Sequence, residues 1–142
     1  MLLTESKVES SIREYLIGKG WRTTNLPRTI GAHGADIRAY HPSWRKIYII
    51  ETKGESELHS VQKIHNSFWT ILGQILTRMD IEGNQANRAR YYGIGIPKNW
   101  EATFKKKIKD MKYGWKLLKL KVFLVDSHGK VDEKPYSYFL KK

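Results

Sequence analysis

Asp36, in Gly34-Ala35-Asp36-Ile37, and Glu51 and Lys53, in Ile49-Ile50-Glu51-Thr52-Lys53-Gly54, are charges set among apolar neighbours. The run Lys46-Ile47-Tyr48-Ile49-Ile50 is apolar on both parities and rich in β-branched and aromatic residues, the pattern of a strand covered on both faces. Glu51 and Lys53 end that strand, and because side chains alternate along a strand the two point the same way. An acid and a base thus reach one edge of the sheet together, where a metal, a partner or a substrate must offset their lost hydration. Two carboxylates with nearby backbone oxygens make a hard oxygen site suited to magnesium. Such an ion lowers the pKa of a bound water and stabilises charge on a phosphoryl oxygen. Lys53 adds a fixed positive charge that can orient the attacking water. The set suits phosphodiester hydrolysis better than glycoside hydrolysis, in which two carboxyl groups act without a cation. The competing structural explanations are a strand-end surface ion pair for Glu51 and Lys53, worth about 0 to 1 kcal/mol, and a turn aspartate for Asp36 after its glycine.

Several elements must position these residues. Residues 4–19 spell a helix with Val8, Ile12, Tyr15 and Leu16 on one stripe and Gly18 and Gly20 near its end. A short strand over 21–25 leads into a loop over 26–33, marked by Pro27 and Gly31 and holding Arg28 and His33. Strands over 35–40 and 46–53, joined by the turn His41-Pro42-Ser43-Trp44-Arg45, form a hairpin. A long helix over 60–81 carries the stripe Val61, Ile64, Phe68, Ile71, Leu72, Ile75 and Met79. A loop at 83–87, a strand over 90–96, a basic helix from Pro97-Lys98 to about residue 112 and a strand over 116–125 follow. Ser127-His128-Gly129 is a turn, and 131–140 reads as a last edge strand weakened by Pro135. The outline is an α/β core of helix, three strands, helix, strand, helix and strand.

The bulk numbers point to a polyanionic partner. Lys plus Arg number 26 against 14 acids, a net charge of +12, and the length of 142 residues fits a single domain over 1–142. Residues 98–142 hold 13 basic and 5 acidic residues, so the C-terminal third is the expected electrostatic contact. Nucleic acid is the first suspect. A membrane is not expected as partner, because no segment approaches the roughly 20 apolar residues of a spanning helix. The absence of cysteine removes disulfides, thiolate nucleophiles and cysteine-based zinc sites. The start Met1-Leu2-Leu3-Thr4-Glu5 lacks the pattern of a secretory signal, so a cytoplasmic location is expected. No phosphate-binding G-x-x-x-x-G-K-[ST] loop and no G-x-S-x-G elbow occurs.

With Gly34-Ala35-Asp36 on one strand, Glu51-Thr52-Lys53 ending the next, a helix carrying a glutamate before them and a long helix after, the chain resembles the PD-(D/E)xK nuclease superfamily. Lys7 to Trp21 look most like the opening helix of its Holliday-junction-resolvase branch. The resemblance covers residues 1 to 97, the catalytic core motifs, and leaves out the basic helix and C-terminal strands of 98–142. Ala35 stands where a proline is common. The resemblance implies a restriction-endonuclease-like αβββαβ core, with a mixed central sheet flanked by helices. It implies an Mg2+- or Mn2+-dependent nuclease, most simply an endonuclease on DNA, leaving a 5′-phosphate and a 3′-hydroxyl. Asp36, Glu51 and the Thr52 carbonyl would hold the ion, Glu9 would help through a water or a second ion, and Lys53 would position the nucleophile. Pairing of two chains as a homodimer would follow only by analogy with enzymes that cut two strands.

Other residues are weaker candidates. Glu5 and Glu9 both lie at the margin of the helix stripe and Glu14 lies opposite it, which leaves Glu5 as a reserve for Glu9. Gln74 occupies a helix position where several related nucleases carry a functional glutamine, and Arg78 stands where one such pattern has a tyrosine. Gln74 equally suits a polar flank of the apolar stripe. Trp44, Arg45 and Lys46 offer a flat ring beside two cations, either to grip a sugar-phosphate strand and stack on a base or, for Trp44, to fold back on the sheet. Arg28 and His33 would face substrate from their loop. The alternative to an enzyme is a non-catalytic basic module on the same fold that binds DNA or RNA, yet such a module has no need of Asp36 and Glu51, whose charges repel phosphate.

Overall fold

The computed structural model describes residues 2–23, 36–57, 60–82 and 89–141. Thr4 caps the first helix, α1 (Glu5–Gly18), by accepting from the Lys7 N–H at 3.3 Å. Val8, Ile12 and Leu16 recur every four residues and are fully buried, which seats α1 on the sheet along one stripe. Strands β1 (Arg22–Thr23), β2 (Ile37–His41) and β3 (Lys46–Thr52) follow, then α2 (Val61–Glu82) and β4 (Ala89–Pro97). A 3-10 turn at Lys98–Trp100 opens α3 (Glu101–Lys109), and α4 (Lys112–Leu118), β5 (Lys121–Val125) and β6 (Val131–Lys134) complete the order.

The six strands of the described residues form one sheet in chain order. The β1–β2, β2–β3 and β5–β6 pairs are antiparallel, and β3–β4 and β4–β5 are parallel. The restriction-endonuclease-like αβββαβ core is therefore present, with a mixed sheet between helices. One face packs Ile37, Ala39, Tyr48, Ile50, Phe123 and Val125 against α1. The other buries Ile94, Ile96, Val122 and Leu124 beneath Phe68, Ile71 and Ile75 of α2, Phe104 and Ile108 of α3 and Trp115 of α4. Among the described residues no helix is long and apolar enough to cross a membrane.

Several expected boundaries need correction. Asp36 sits in a bend just before β2 rather than on the strand, and Lys53 falls one residue beyond β3. The strand expected over 116–125 begins only at Lys121, because Lys112–Leu118 form α4 around the buried Trp115. The Trp115 indole N–H donates to the Tyr136 carbonyl at 2.9 Å, so a tertiary contact holds the turn. Lys119, left-handed at φ +50, ends α4. The tail strand stops at Lys134, since Pro135 opens a 3-10 turn, Tyr136–Leu140, that buries Phe139. Residues 24 and 25 of the first expected strand and the 26–33 loop lie outside the described residues.

The end of β3 is clamped to the start of α1. The Glu55 N–H donates to the Leu3 carbonyl at 2.7 Å, and a Cβ on Gly54 would run into the backbone of Thr4 and Glu5. At Gly95 a Cβ would instead meet the flexible end of Ile12. Gly54→Ala should therefore cost about 3 kcal/mol in urea denaturation and Gly95→Ala about 1 kcal/mol, with equal losses showing that α1 is not anchored at Gly54.

Candidate functional site

β2 and β3 pair with Ile37 opposite Ile50, so one step outward Asp36 meets Glu51. β2 begins at Ile37, and the Asp36 side chain takes over the ladder where the strand has ended. Its Oδ2 accepts from the Thr52 N–H at 2.7 Å and from the Thr52 hydroxyl at 3.1 Å. The N–H and C=O of one strand residue point to the same side, so the Thr52 carbonyl faces the edge that Asp36 occupies. Asp36 and Glu51 are hydrogen-bonded through their side chains.

Glu51 is 3% exposed, and the Arg78 Nε of α2 donates to its Oε1 at 3.1 Å. Its pKa is pushed up from 4.5 to about 7, first by burial, then by the charge of Asp36 and the hydrogen bond with it, against the opposing pull of Arg78. Two carboxylates this close relieve their repulsion by sharing a proton or a cation. The donor set of Asp36, Glu51 and the Thr52 carbonyl is all oxygen and fits a small divalent ion that keeps several waters. Among the described residues no group of three or more acids and histidines is gathered that could hold a metal.

Lys53 shares the Glu51 side of the strand by alternation. It lines a polar cleft of about 390 Å³ between the start of α1 and the first turns of α2, with Glu5, Lys63, Asn66, Ser67 and Thr70 on its walls. The Lys53 N–H donates to the Gly95 carbonyl at 3.0 Å, fixing the backbone from which the side chain leaves. Gln74, one turn before Arg78 on α2, has a buried Oε1 with no hydrogen-bond partner among the described residues. A buried acceptor left unpaired costs about 1 to 3 kcal/mol, so this one is poised for a donor.

Glu9 is connected to the carboxylate pair through Arg13. Arg13, one helical turn on, donates to Glu9 Oε1 at 3.2 Å and to the Asp36 main-chain carbonyl at 2.7 Å. Arg13 thus ties α1 to the bend that carries Asp36. The spacing of Glu9 and Arg13 reads as a helix pair, but nothing in it announces the second bond. Glu14 is exposed and Glu5 lies on the cleft beside Lys53. Arg78, expected at the substrate, is the ion-pair partner of Glu51. Trp44, Arg45 and Lys46 occupy the turn at the opposite end of β3, roughly 17 Å from Glu51 at about 3.3 Å per residue, so they are not brought to the carboxylates. Arg28 and His33 lie outside the described residues.

Two solved structures share this fold. An XisH family protein from Nostoc punctiforme aligns with a TM-score of 0.53 at 18% identity, covering 91% of this chain and 98% of its own. An fdxN element excision controlling factor protein from Anabaena variabilis aligns with a TM-score of 0.53 at 16% identity, covering 92% and 98%. The sequence matches no protein-family model and no curated protein.

The raised pKa of Glu51 has a signed consequence for stability. Between about pH 4.5 and 7 the folded chain keeps a proton that the unfolded chain has lost, so stability is full below this window and falls as pH rises through it. The loss is on the order of 3 kcal/mol. Thermal melts in a chelator should show Tm falling from pH 4.5 to 7.5, and Glu51→Gln should flatten that slope. An unchanged slope in the variant means that Glu51 does not hold the proton.

Proposed function

We propose that this chain is a metal-dependent nuclease of the PD-(D/E)xK type that hydrolyses DNA phosphodiester bonds, most simply as an endonuclease. The observation that carries the reading is the pairing of half-buried Asp36 with buried Glu51, two residues before Lys53 and the cleft that Lys53 lines. Asp36, Glu51 and the Thr52 carbonyl would hold Mg2+ or Mn2+, with Glu9 at a further remove. When bound, the ion supplies a Lewis acid for the phosphoryl oxygens and lowers the pKa of water.

The chain's own residues do the rest. Lys53 holds the attacking water in line with the phosphorus and meets the charge that grows on the phosphoryl oxygens. Arg78 keeps Glu51 in orientation, and the Thr52 N–H and hydroxyl do the same for Asp36. Arg13 fixes the bend beneath Asp36. Gln74 offers its unpaired oxygen to a water or a nucleotide donor. Affinity for the polyanion comes from the distributed lysines, of which Lys106, Lys109, Lys112, Lys116 and Lys119 are exposed on α3, α4 and their ends. The neighbour named for controlling excision of an element accords with DNA as substrate.

One observation favours the alternative of a non-catalytic module that binds DNA or RNA. Each acid has a partner without a metal, Arg78 for Glu51 and Thr52 for Asp36. Two experiments separate the readings. A panel of linear, nicked, four-way and single-stranded DNAs, with RNA, should show Mg2+- or Mn2+-dependent cleavage that Lys53→Ala abolishes, while DNA affinity stays within about threefold. Millimolar Mg2+ should raise the Tm of the wild type and leave that of Asp36→Asn unchanged. Intact substrates across the whole panel, with no metal shift in Tm, would establish the binding module.

A further inference from the structure

On the face of the sheet covered by α1, at the ends of β3 and β4 remote from Glu51, side chains enclose a second cavity of about 370 Å³. Its walls are aromatic. Tyr48 and Tyr91 are register partners on β3 and β4 with ring centroids 6.0 Å apart, and Trp21, just past α1, packs 4.6 Å from Tyr48. Trp44 lies flat on the buried His41 at 3.8 Å and 8°, while Trp21 meets both rings edge-on. His41 thus covers one face of the Trp44 indole, yet the residue stays 58% exposed. Neighbouring Arg45 is held left-handed at φ +52, a conformation that side chains rarely adopt. The turn is therefore shaped to present this ring.

The charges of the cavity are one-sided. Among the described residues, Lys19, Lys46 and Lys121 line it against a single acid, Glu133. That acid is already engaged, because the Tyr15 and Tyr48 hydroxyls donate to its two oxygens at 3.3 and 3.1 Å and Lys121 Nζ lies 3.7 Å away. Lys46 Nζ instead sits over the Tyr91 ring at 4.7 Å and the Trp44 ring at 5.8 Å, and Lys19 Nζ lies over Tyr15 at 5.6 Å. A cationic ligand would be repelled, and an apolar one would bury ammonium groups with nothing to offset their lost hydration. The fitting ligand brings a planar ring to the indole and an anion to the lysines.

We propose that this cavity binds a nucleotide, its base packed against the exposed part of the Trp44 indole and its phosphate held by Lys46, which moves off the ring to meet it, and Lys19. Stacking is indifferent to which base is present, so no sequence preference is needed. The volume suits a ligand of this size. The base arrives either on a free nucleotide or on an unpaired residue of a strand. Tyr48 and Glu51 point to opposite faces of β3, so the site is separate from the carboxylate pair and does not depend on the hydrolytic reading.

Binding is measured in EDTA, where cleavage plays no part. The probes are hexadeoxyadenylate, an abasic hexamer of the same charge, and deoxyadenosine 5′-monophosphate. The wild type should bind hexadeoxyadenylate roughly tenfold more tightly than the abasic hexamer. That preference should vanish in Trp44→Leu and in Tyr91→Ala, both at exposed rings, with circular dichroism confirming the fold. Saturable binding of the monophosphate that Trp44→Leu removes assigns the site to free nucleotides as well. Binding of the hexamer alone assigns it to unpaired strands. Equal affinity for the two hexamers with no uptake of the monophosphate overturns the proposal, as does a base preference that survives in both variants.

Discussion

The antiparallel register of β2 on β3 sets the geometry from which the candidate site follows. With Ile37 opposite Ile50, Asp36 must meet Glu51 at the next step. A slip of one residue would turn Ile37 and Ala39 away from α1 and carry Asp36 past its partner. The buried positions Ile37, Ala39, Tyr48 and Ile50 hold the register from the α1 side. Once it is set, the two carboxyl groups cannot avoid one another, and burial prevents both from being ionised without help. A proton, a guanidinium and a divalent ion are three ways to meet the same demand, and Arg78 meets part of it from α2.

The mixed sheet suits this task. Its parallel centre, β3, β4 and β5, is covered on both faces, while the antiparallel pairs lie toward the edges. The β6 edge is blunted by charge, since it carries Asp132, Glu133 and Lys134. Among the described residues one helix covers one face and three cover the other. Lys53, which follows a central strand, can therefore open into a cleft between α1 and α2, and the exposed lysines of α3 and α4 lie with α2 on the same side of the sheet.

How much was legible in the sequence depended on the range of the forces involved. α1, β3 and α2 read clearly because their apolar periods are long and local, and Glu51 and Lys53 stood out because a strand apolar on both parities ended in charge. Residues 112–118 misled because the alternation of Leu118 to Val122 and the apolar run after it read as one strand from Lys116, whereas the burial of Trp115 against Phe139 decides for helix. The Arg78–Glu51 pair spans 27 residues and the Arg13–Asp36 bond spans 23, so no spacing rule reveals either. Trp44 offered two readings, and the structure combines them: it stacks on His41 and still shows much of its surface.

The clamp between Leu3 and Glu55 bears on the order in which the chain assembles. The contact that holds Asp36 joins residues 16 apart within a hairpin, whereas the Leu3–Glu55 contact closes a loop of 52. Short-range closure is fast, and long-range closure waits for the intervening chain to collapse. By loop length alone the hairpin that gathers the two acids closes more cheaply than the contact that seats α1 on Gly54, and the Tyr15–Glu133 contact, 118 residues apart, is costlier still.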